Sequence, residues 1–316
     1  MSADAAARIA VNIGGRFASG VLAALEKMVP DEPFVGCTPG SDVPDDADVL
    51  VTLLDAPDGV AQLMAPGIRW VHALSTGVDG FPFDAAADRL ITCSRGASAT
   101  AIAEWVLAMV LACEKDLPGS WVSAPPARWN AAALGGVSGK NLGLVGLGAI
   151  GTEVARRGLA FDMQVTAIRR TATPSPLQGV AVATSLDDVL RIADHLVVAA
   201  PATPATAHLL DHAAFARCKP GVHVVNVARG ALIDQEALLD ALDDGTVARA
   251  SLDVVDPEPL PAGHPFYRHP LVRLSPHVSW SAPSTLPRTF ELFVDNLYRY
   301  RRGDALHGIV DPAAGY

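Results

Sequence analysis

Residues 140–170, KNLGLVGLGAIGTEVARRGLAFDMQVTAIRR, hold an apolar run at 142–145, a glycine-rich turn, a helix-competent segment and a second strand-like run at 164–168. The turn reads Gly146-Leu147-Gly148-Ala149-Ile150-Gly151. Glycine at 146 permits a tight turn, glycine at 148 lets the backbone approach a pyrophosphate, and glycine at 151 lets the helix pack closely on the strand. The helix then begins at Ala149 and Ile150, offering unpaired N–H groups and the positive end of its dipole to phosphates. A glycine-rich turn alone is common, and a tight strand-to-helix turn with no ligand is the plain alternative. Strand, turn, helix and strand in this order within about 30 residues is what a dinucleotide-binding βαβ unit requires. The stretch is therefore expected to bind a dinucleotide.

The chain has 316 residues, enough for two domains, since single cores stop growing near ~250–300 residues. Apolar residues make up 50% and charged residues 18%, an ordinary globular composition. Lys plus Arg number 24 against 34 Asp plus Glu, for a net charge of −10. An acidic chain without a basic run speaks against nucleic-acid binding. Cys37, Cys93, Cys113 and Cys218 are scattered, with neither CxxC nor metal-ligand spacing, so they are expected to be free thiols and no metal site is expected. The N-terminal MSADAAARIA lacks a basic region followed by an apolar core, and no apolar run reaches a membrane span. A soluble cytoplasmic protein is the expectation.

Outward from the glycine turn, apolar runs at 8–13, 49–54, 68–74 and 90–93 alternate with helix-length segments, which indicates a small parallel α/β domain. A long apolar helix is expected over 98–113, and the Pro- and Gly-rich segment 118–139 reads as a crossing between domains. Further strands are expected at 195–200, 222–227, 250–254 and 272–274, with helices near 185–192, 210–216 and 234–243 between them. That pattern makes a doubly wound sheet whose switch point lies beside the glycine turn. A last helix over 285–302 carries Phe290, Phe293, Val294 and Leu297 at helical spacing and is expected to return to the first domain. The expected domains are thus 1–113 with 283–316, and 114–282.

Three candidate catalytic residues follow expected strand ends: Arg229 in Asn226-Val227-Ala228-Arg229-Gly230, Glu258 after Asp253, and His277 in Ser275-Pro276-His277. A doubly wound sheet places its ligand at that edge. Arginine offers a planar fork of donors to a carboxylate and an adjacent carbonyl oxygen. Histidine can protonate a nascent alkoxide near neutral pH, and a carboxylate beside it orients the ring and favours its charged form. Singly each is weak, because surface arginines, glutamates and loop histidines are common. Together, downstream of a dinucleotide motif, they fit hydride transfer to a 2-keto acid.

These motifs resemble those of the D-isomer-specific 2-hydroxyacid dehydrogenases, and of glyoxylate/hydroxypyruvate reductases among them. The likeness runs through Leu74-Ser75-Thr76-Gly77-Val78-Asp79, Ser94-Arg95-Gly96, the turn at 146–151, Ala200-Pro201-Ala202-Thr203-Pro204-Ala205-Thr206, and the Arg229, Glu258 and His277 segments. It implies an α/β fold in which a doubly wound Rossmann cofactor domain is inserted into a smaller, flavodoxin-like parallel α/β substrate domain. It also implies reversible reduction of a 2-oxo acid to the (R)-2-hydroxy acid by a reduced nicotinamide cofactor. Arg229 would bind substrate, His277 would be the acid/base and Glu258 its partner. Leu74, Ser75, Thr76 and Gly77 would hold the substrate carboxylate, chiefly through backbone N–H groups. Asp253 would contact the nicotinamide carboxamide, while Ala200, Pro201 and Thr206 line the adenosine side and Val227 and Ala228 also meet the cofactor. A homodimer is implied as well.

One place departs from the commoner pattern. Where NAD-using relatives carry an acidic residue after the second strand, this chain has Arg169-Arg170-Thr171. Two cations and a hydroxyl suit a 2′-phosphate, and the missing carboxylate removes a repulsive element. NADP(H) is therefore favoured over NAD(H). Trp280, three residues past His277, is expected to limit the size of the substrate pocket or to pack near the hinge. Two other readings share the fold: a dinucleotide-sensing corepressor-like protein and a relative oxidising formate or phosphite.

Overall fold

A parallel sheet covered by helices on both faces needs strands that are apolar almost throughout, and this chain builds two. The computed structural model describes residues 7–12, 14, 18–53, 57–171 and 173–316, without the side chains of 18, 19, 57 and 58. The expectations touching the first six residues, Ile13, Leu54 and Asp55 lie outside the described residues. The chain divides into two compact units, Met1–Ser98 with Ala282–Tyr316, and Ala99–Ser281.

The first unit opens with β1 (Arg8–Asn12), α1 (Ala18–Met28), β2 (Phe34–Cys37), β3 (Ala47–Thr52), α2 (Pro57–Gln62), β4 (Trp70–Ala73), α3 (Phe83–Ala86) and β5 (Leu90–Cys93). Its strands pair in parallel in the order β2-β1-β3-β4-β5, the flavodoxin-like winding. β4 is wholly buried: Trp70 Nε1 donates to Thr92 Oγ1 at 2.8 Å, and the His72 ring lies 2.7 Å from Thr92 Oγ1 and 3.1 Å from Ser94 Oγ. Burial pushes the pKa of His72 down to about 3.

The second unit runs α4 (Ala99–Glu114), β6 (Asn141–Val145), α5 (Ala149–Ala160), β7 (Gln164–Ile168), β8 (Val180–Val182), α6 (Leu186–Leu190), β9 (His195–Val198), α7 (His212–Phe215), β10 (Val222–Asn226), α8 (Gln235–Asp243), β11 (Val247–Leu252) and β12 (Val272–Leu274). All seven strands are parallel in the order β12-β11-β10-β9-β6-β7-β8. The chain leaves β6 for β7 on one side and returns to β9 on the other, so the switch point falls at β6, where the glycine turn begins. The chain then re-enters the first unit, where α9 (Thr285–Arg302) buries Phe293 and Leu297 among Ile9, Val49 and Trp70, with Phe290 and Val294 packed beside them. Trp70 stacks on Phe293 at a centroid distance of 5.7 Å.

Two expectations are corrected. α4 belongs to the second unit, because Ile102, Ala103, Val106, Leu107 and Val110 pack against Leu142, Leu144 and Val225. The irregular segment 118–139 also lies within the second unit, and the chain passes between units at Ser98 and Ala99. The edge strands β2 and β8 were not anticipated; four and three residues long and only partly buried, they carry little apolar periodicity.

The opposite end of this second sheet holds a buried polar cluster. His195 opens β9 and pairs in register with His223 of β10, their Nδ1 atoms 3.0 Å apart. His223 Nε2 lies 2.9 Å from Ser251 Oγ, and His195 Nε2 lies 3.2 Å from Glu114 Oε1, off the line of a well-aligned hydrogen bond. Lys140 Nζ donates to the same glutamate oxygen at 2.6 Å. Among the described residues, the four cysteines are free, no group of side chains has metal-ligand geometry, and no helix is long and apolar enough to cross a membrane.

Candidate active site

Adjacent strands β10, β11 and β12 end level, with Asn226 paired to Leu252 and Leu252 to Leu274. The loops that follow carry Arg229, Asp253 with Glu258, and His277, so all three leave the same edge of one sheet. His277 Nδ1 lies 2.8 Å from Glu258 Oε2, and Glu258 Oε1 accepts the Val255 N–H at 3.2 Å. Both side chains stay open to solvent, 41% and 37% exposed.

His277 has φ +53°, a left-handed conformation disfavoured for a residue with a Cβ. Such strain persists where the surroundings over-determine it, and Asp253 does so. One carboxylate oxygen of this buried residue accepts from Ser275 Oγ at 2.5 Å and from Val278 N at 2.9 Å; the other accepts from Ser279 N at 2.9 Å. Its carbonyl accepts the His277 N–H at 2.9 Å. Asp253, expected at a nicotinamide carboxamide, thus has both carboxylate oxygens engaged by the turn that bears the histidine. Trp280 Nε1 donates to the His277 carbonyl at 2.8 Å, laying the indole on that same turn.

The arginine turn is shaped by Asn226. Its Oδ1 accepts the Ala228 N–H at 3.0 Å and its Nδ2 donates to the Arg229 carbonyl at 2.9 Å, while Arg229 Nη1 donates to the Ala228 carbonyl. Gly230 packs so closely on Val255 that a Cβ there would collide with its carbonyl, which ties the arginine turn to the glutamate loop. Asn226 and Ser275 were not among the expected site residues. Both stand in the motifs around Arg229 and His277, and a short polar residue directly at a strand end is the signal that marks them.

At the other end of the same edge lies the glycine turn. Gly146 has φ +105°, and a Cβ on it would come within 2.6 Å of the Ala199 carbonyl oxygen, so the turn is seated against the 199–206 loop. That loop is drawn together by Thr206, whose Oγ1 donates to the Pro201 carbonyl at 2.8 Å and accepts the Thr203 N–H at 2.8 Å. A Cβ on Gly148 would meet no protein atom, and no side chain caps the start of α5 at Ala149, Ile150 and Gly151. An uncapped N-terminus beside a residue with no side chain suits an approaching pyrophosphate. Next to it β7 ends at Ile168, paired with Val145, and continues into Arg169, Arg170 and Thr171. Arg169 Nη1 donates to the Pro174 carbonyl at 3.5 Å and Thr171 Oγ1 lies 3.3 Å from Thr173 Oγ1. Val227 and Ala228 are buried at the head of β10.

The remaining expected residues belong to the first unit. After the buried Leu74, Ser75 Oγ donates to the Gly77 carbonyl at 2.6 Å, and Thr76 Oγ1 lies 2.9 Å from Ser98 Oγ. The Ser75 carbonyl accepts the Ser94 N–H at 3.0 Å.

The family model described as "D-isomer specific 2-hydroxyacid dehydrogenase, NAD binding domain" matches residues 107–279. The glyoxylate reductase of Thermofilum pendens is 31% identical over 282 residues, covering 84% of this chain and 82% of that protein. The D-3-phosphoglycerate dehydrogenase of Mycobacterium tuberculosis is 35% identical over 251 residues, 78% of this chain, but the chain spans only 47% of that relative's length. A crystal structure of a D-isomer specific 2-hydroxyacid dehydrogenase from Xanthobacter autotrophicus Py2, in complex with NADPH and MES, superimposes with a TM-score of 0.87 at 27% identity, covering 99% of this chain and 100% of that one. The match across the second sheet and the likeness over most of the Thermofilum protein lead to one assignment: this chain belongs to the D-isomer specific 2-hydroxyacid dehydrogenases.

Proposed function

We propose that the chain is an NADPH-preferring reductase that converts a small 2-oxo acid of the glyoxylate or hydroxypyruvate type into its (R)-2-hydroxy acid. The observation that carries this reading is the 2.8 Å contact between His277 Nδ1 and Glu258 Oε2 at the ligand-binding edge of a doubly wound sheet. A carboxylate only accepts, so Nδ1 keeps its proton toward Glu258 and Nε2 is the nitrogen that exchanges one with substrate. When bound, the reduced nicotinamide supplies the hydride. His277 Nε2 would give its proton to the substrate's carbonyl oxygen, and Glu258 would balance the imidazolium from which that proton comes. The Arg229 guanidinium holds the carboxylate and polarises the carbonyl.

The N–H groups at Ala149, Ile150 and Gly151 take the pyrophosphate, and Ala200, Pro201, Thr206, Val227 and Ala228 line the cofactor. Asp253 serves by seating the histidine turn. Leu74, Ser75, Thr76 and Gly77 receive the substrate carboxylate, Trp280 limits the substrate side chain, and the working form is a homodimer. Two supports favour NADPH: the Arg169-Arg170-Thr171 run in place of an acidic residue, and the NADPH bound by the Xanthobacter relative.

Initial rates with NADPH and NADH across glyoxylate, hydroxypyruvate, pyruvate and 3-phosphohydroxypyruvate test the reading. Consumption of NADPH with the first two, faster than with pyruvate or the phosphorylated acid, is expected; no consumption of either cofactor with any acid would overturn it. Replacing Arg169 and Arg170 with alanine should raise the KM for NADPH on the order of 10–100-fold, since a charge-assisted hydrogen bond contributes about 1.5–3 kcal/mol. The KM for NADH should barely move. An enzyme that prefers NADH from the outset refutes the assignment of the arginines.

A further inference from the structure

Two side chains as exposed as His277 and Glu258 do not hold a 2.8 Å separation by mutual attraction, because ion pairs at such exposure contribute about 0–1 kcal/mol. Their alignment has to come from the loops that carry them. Asp253 seats the histidine turn. The glutamate loop has a clamp of its own, and it arrives from a different element.

Gln235 is the first residue of α8, directly after Asp234, whose Oδ1 caps the helix by accepting the Glu236 and Ala237 N–H groups at 3.0 and 3.2 Å. The helix is fixed on the sheet by the buried Ala237, Leu238, Ala241 and Leu242. From this anchored position the Gln235 carboxamide reaches the backbone of Asp256 in both directions. Its Nε2 donates to the Asp256 carbonyl at 2.5 Å, and its Oε1 accepts the Asp256 N–H at 3.2 Å. A planar side chain holding both the N–H and the C=O of one residue does what a neighbouring strand does for a strand, and fixes the direction of the backbone there. Asp256 stands two residues before Glu258. With the backbone so fixed, Glu258 Oε1 folds back onto Val255 N and Oε2 is left to meet His277.

We infer that Gln235 is a positioning residue for the Glu258–His277 pair, acting through its two hydrogen bonds to the Asp256 backbone. The inference rests on the proposed role of that pair as the acid–base couple. It requires a side chain with a donor and an acceptor on one plane at the reach of glutamine. Methionine keeps the length and loses both bonds.

The test is steady-state kinetics with NADPH and the best 2-oxo acid on Q235M, E258Q, H277N and the double variant Q235M/E258Q, with kcat expressed per NADPH-binding site counted by fluorescence titration. Q235M is expected to lower kcat about tenfold, as slight misplacement of a reacting group does, with the KM for NADPH changed by less than about twofold. Groups that act through one another are not additive, so Q235M/E258Q should be no slower than E258Q alone. An unchanged kcat in Q235M, or losses that multiply in the double variant, would overturn the inference by reducing Gln235 to a general structural role. Wild-type turnover in E258Q and H277N would instead overturn the proposed acid–base pair itself, whatever Q235M does.

Discussion

One sheet of this protein carries two histidine–carboxylate pairs at its opposite ends, chemically alike and physically unlike. His277 and Glu258, 2.8 Å apart, sit on loops past the strand ends with 41% and 37% of their side chains exposed. His195 and Glu114, 3.2 Å apart, lie where the strands begin, 1% and 8% exposed. Burial drives the pKa of His195 down to about 4 even though Glu114 pulls it upward, and it drives that of His223 well below its ordinary value. His195 has Glu114 beside Nε2 and His223 beside Nδ1, and His223 Nε2 faces Ser251 Oγ, so neither ring has an open nitrogen. The contrast teaches that an adjacent carboxylate does not make a histidine an acid–base catalyst. A ring nitrogen open to a second partner is needed as well, and of the two pairs His277 and Glu258 are the exposed one.

The sharpest way to break this contrast is to remove each histidine in turn. His277→Asn should lower kcat about 10²–10⁴-fold, the range for a lost general acid, while NADPH still binds. His195→Leu should leave kcat within about twofold of wild type, as distant independent sites allow. If turnover per binding site instead collapses in His195→Leu, the two ends are coupled and the contrast fails.

Stability should respond in the reverse sense. His195→Leu strands the buried His223 Nδ1 and one side of Glu114, at about 1–3 kcal/mol for an unsatisfied buried group. His277→Asn, on an exposed loop, should stay within about 0.5 kcal/mol. Urea unfolding of both variants reads this directly. Replacing His195 and His223 together with leucines should recover part of the loss, because removing both partners of a buried hydrogen bond leaves less unsatisfied than removing one.

Stability should also depend on pH. Because the buried histidines have folded-state pKa values below their unfolded value near 6.5, the folded state binds fewer protons. Their contribution is fully present above about pH 6.5 and is lost as pH falls toward about 4 and 3, the values for His195 and His72. The urea midpoint should therefore decline across that window, and less steeply in the His195/His223 double variant. A decline equally steep in both would assign the acid sensitivity to other groups.

The exposed end was legible in the sequence and the buried end was not. Arg229, Glu258 and His277 stand in short segments directly after apolar runs, so strand ends and candidate site residues could be read together. Buried parallel strands announce themselves as continuous Val, Leu and Ala, which is why β6, β9 and β10 were readable. His195 and His223 look like polar flanks of those same runs, and only the register of β9 with β10 brings them together across 28 residues. Gln235 and Asn226 escaped for a related reason: each acts by bonding backbone, and nothing in a residue's identity states which backbone it will reach. The placement of α4 also needed the fold, since an apolar helix carries no label for the sheet it will cover.

Trp280 also offers an optical handle on the candidate site. Its indole is bonded to the carbonyl of His277, so the chain carries an optical reporter on the turn that bears this histidine. Reduced nicotinamide absorbs where indole emits, and energy transfer from this ring would register cofactor arrival at the histidine. The other four tryptophans, Trp70, Trp105, Trp121 and Trp129, lie elsewhere in the chain. A variant in which they are phenylalanine would leave Trp280 as the single indole emitter, beside His277.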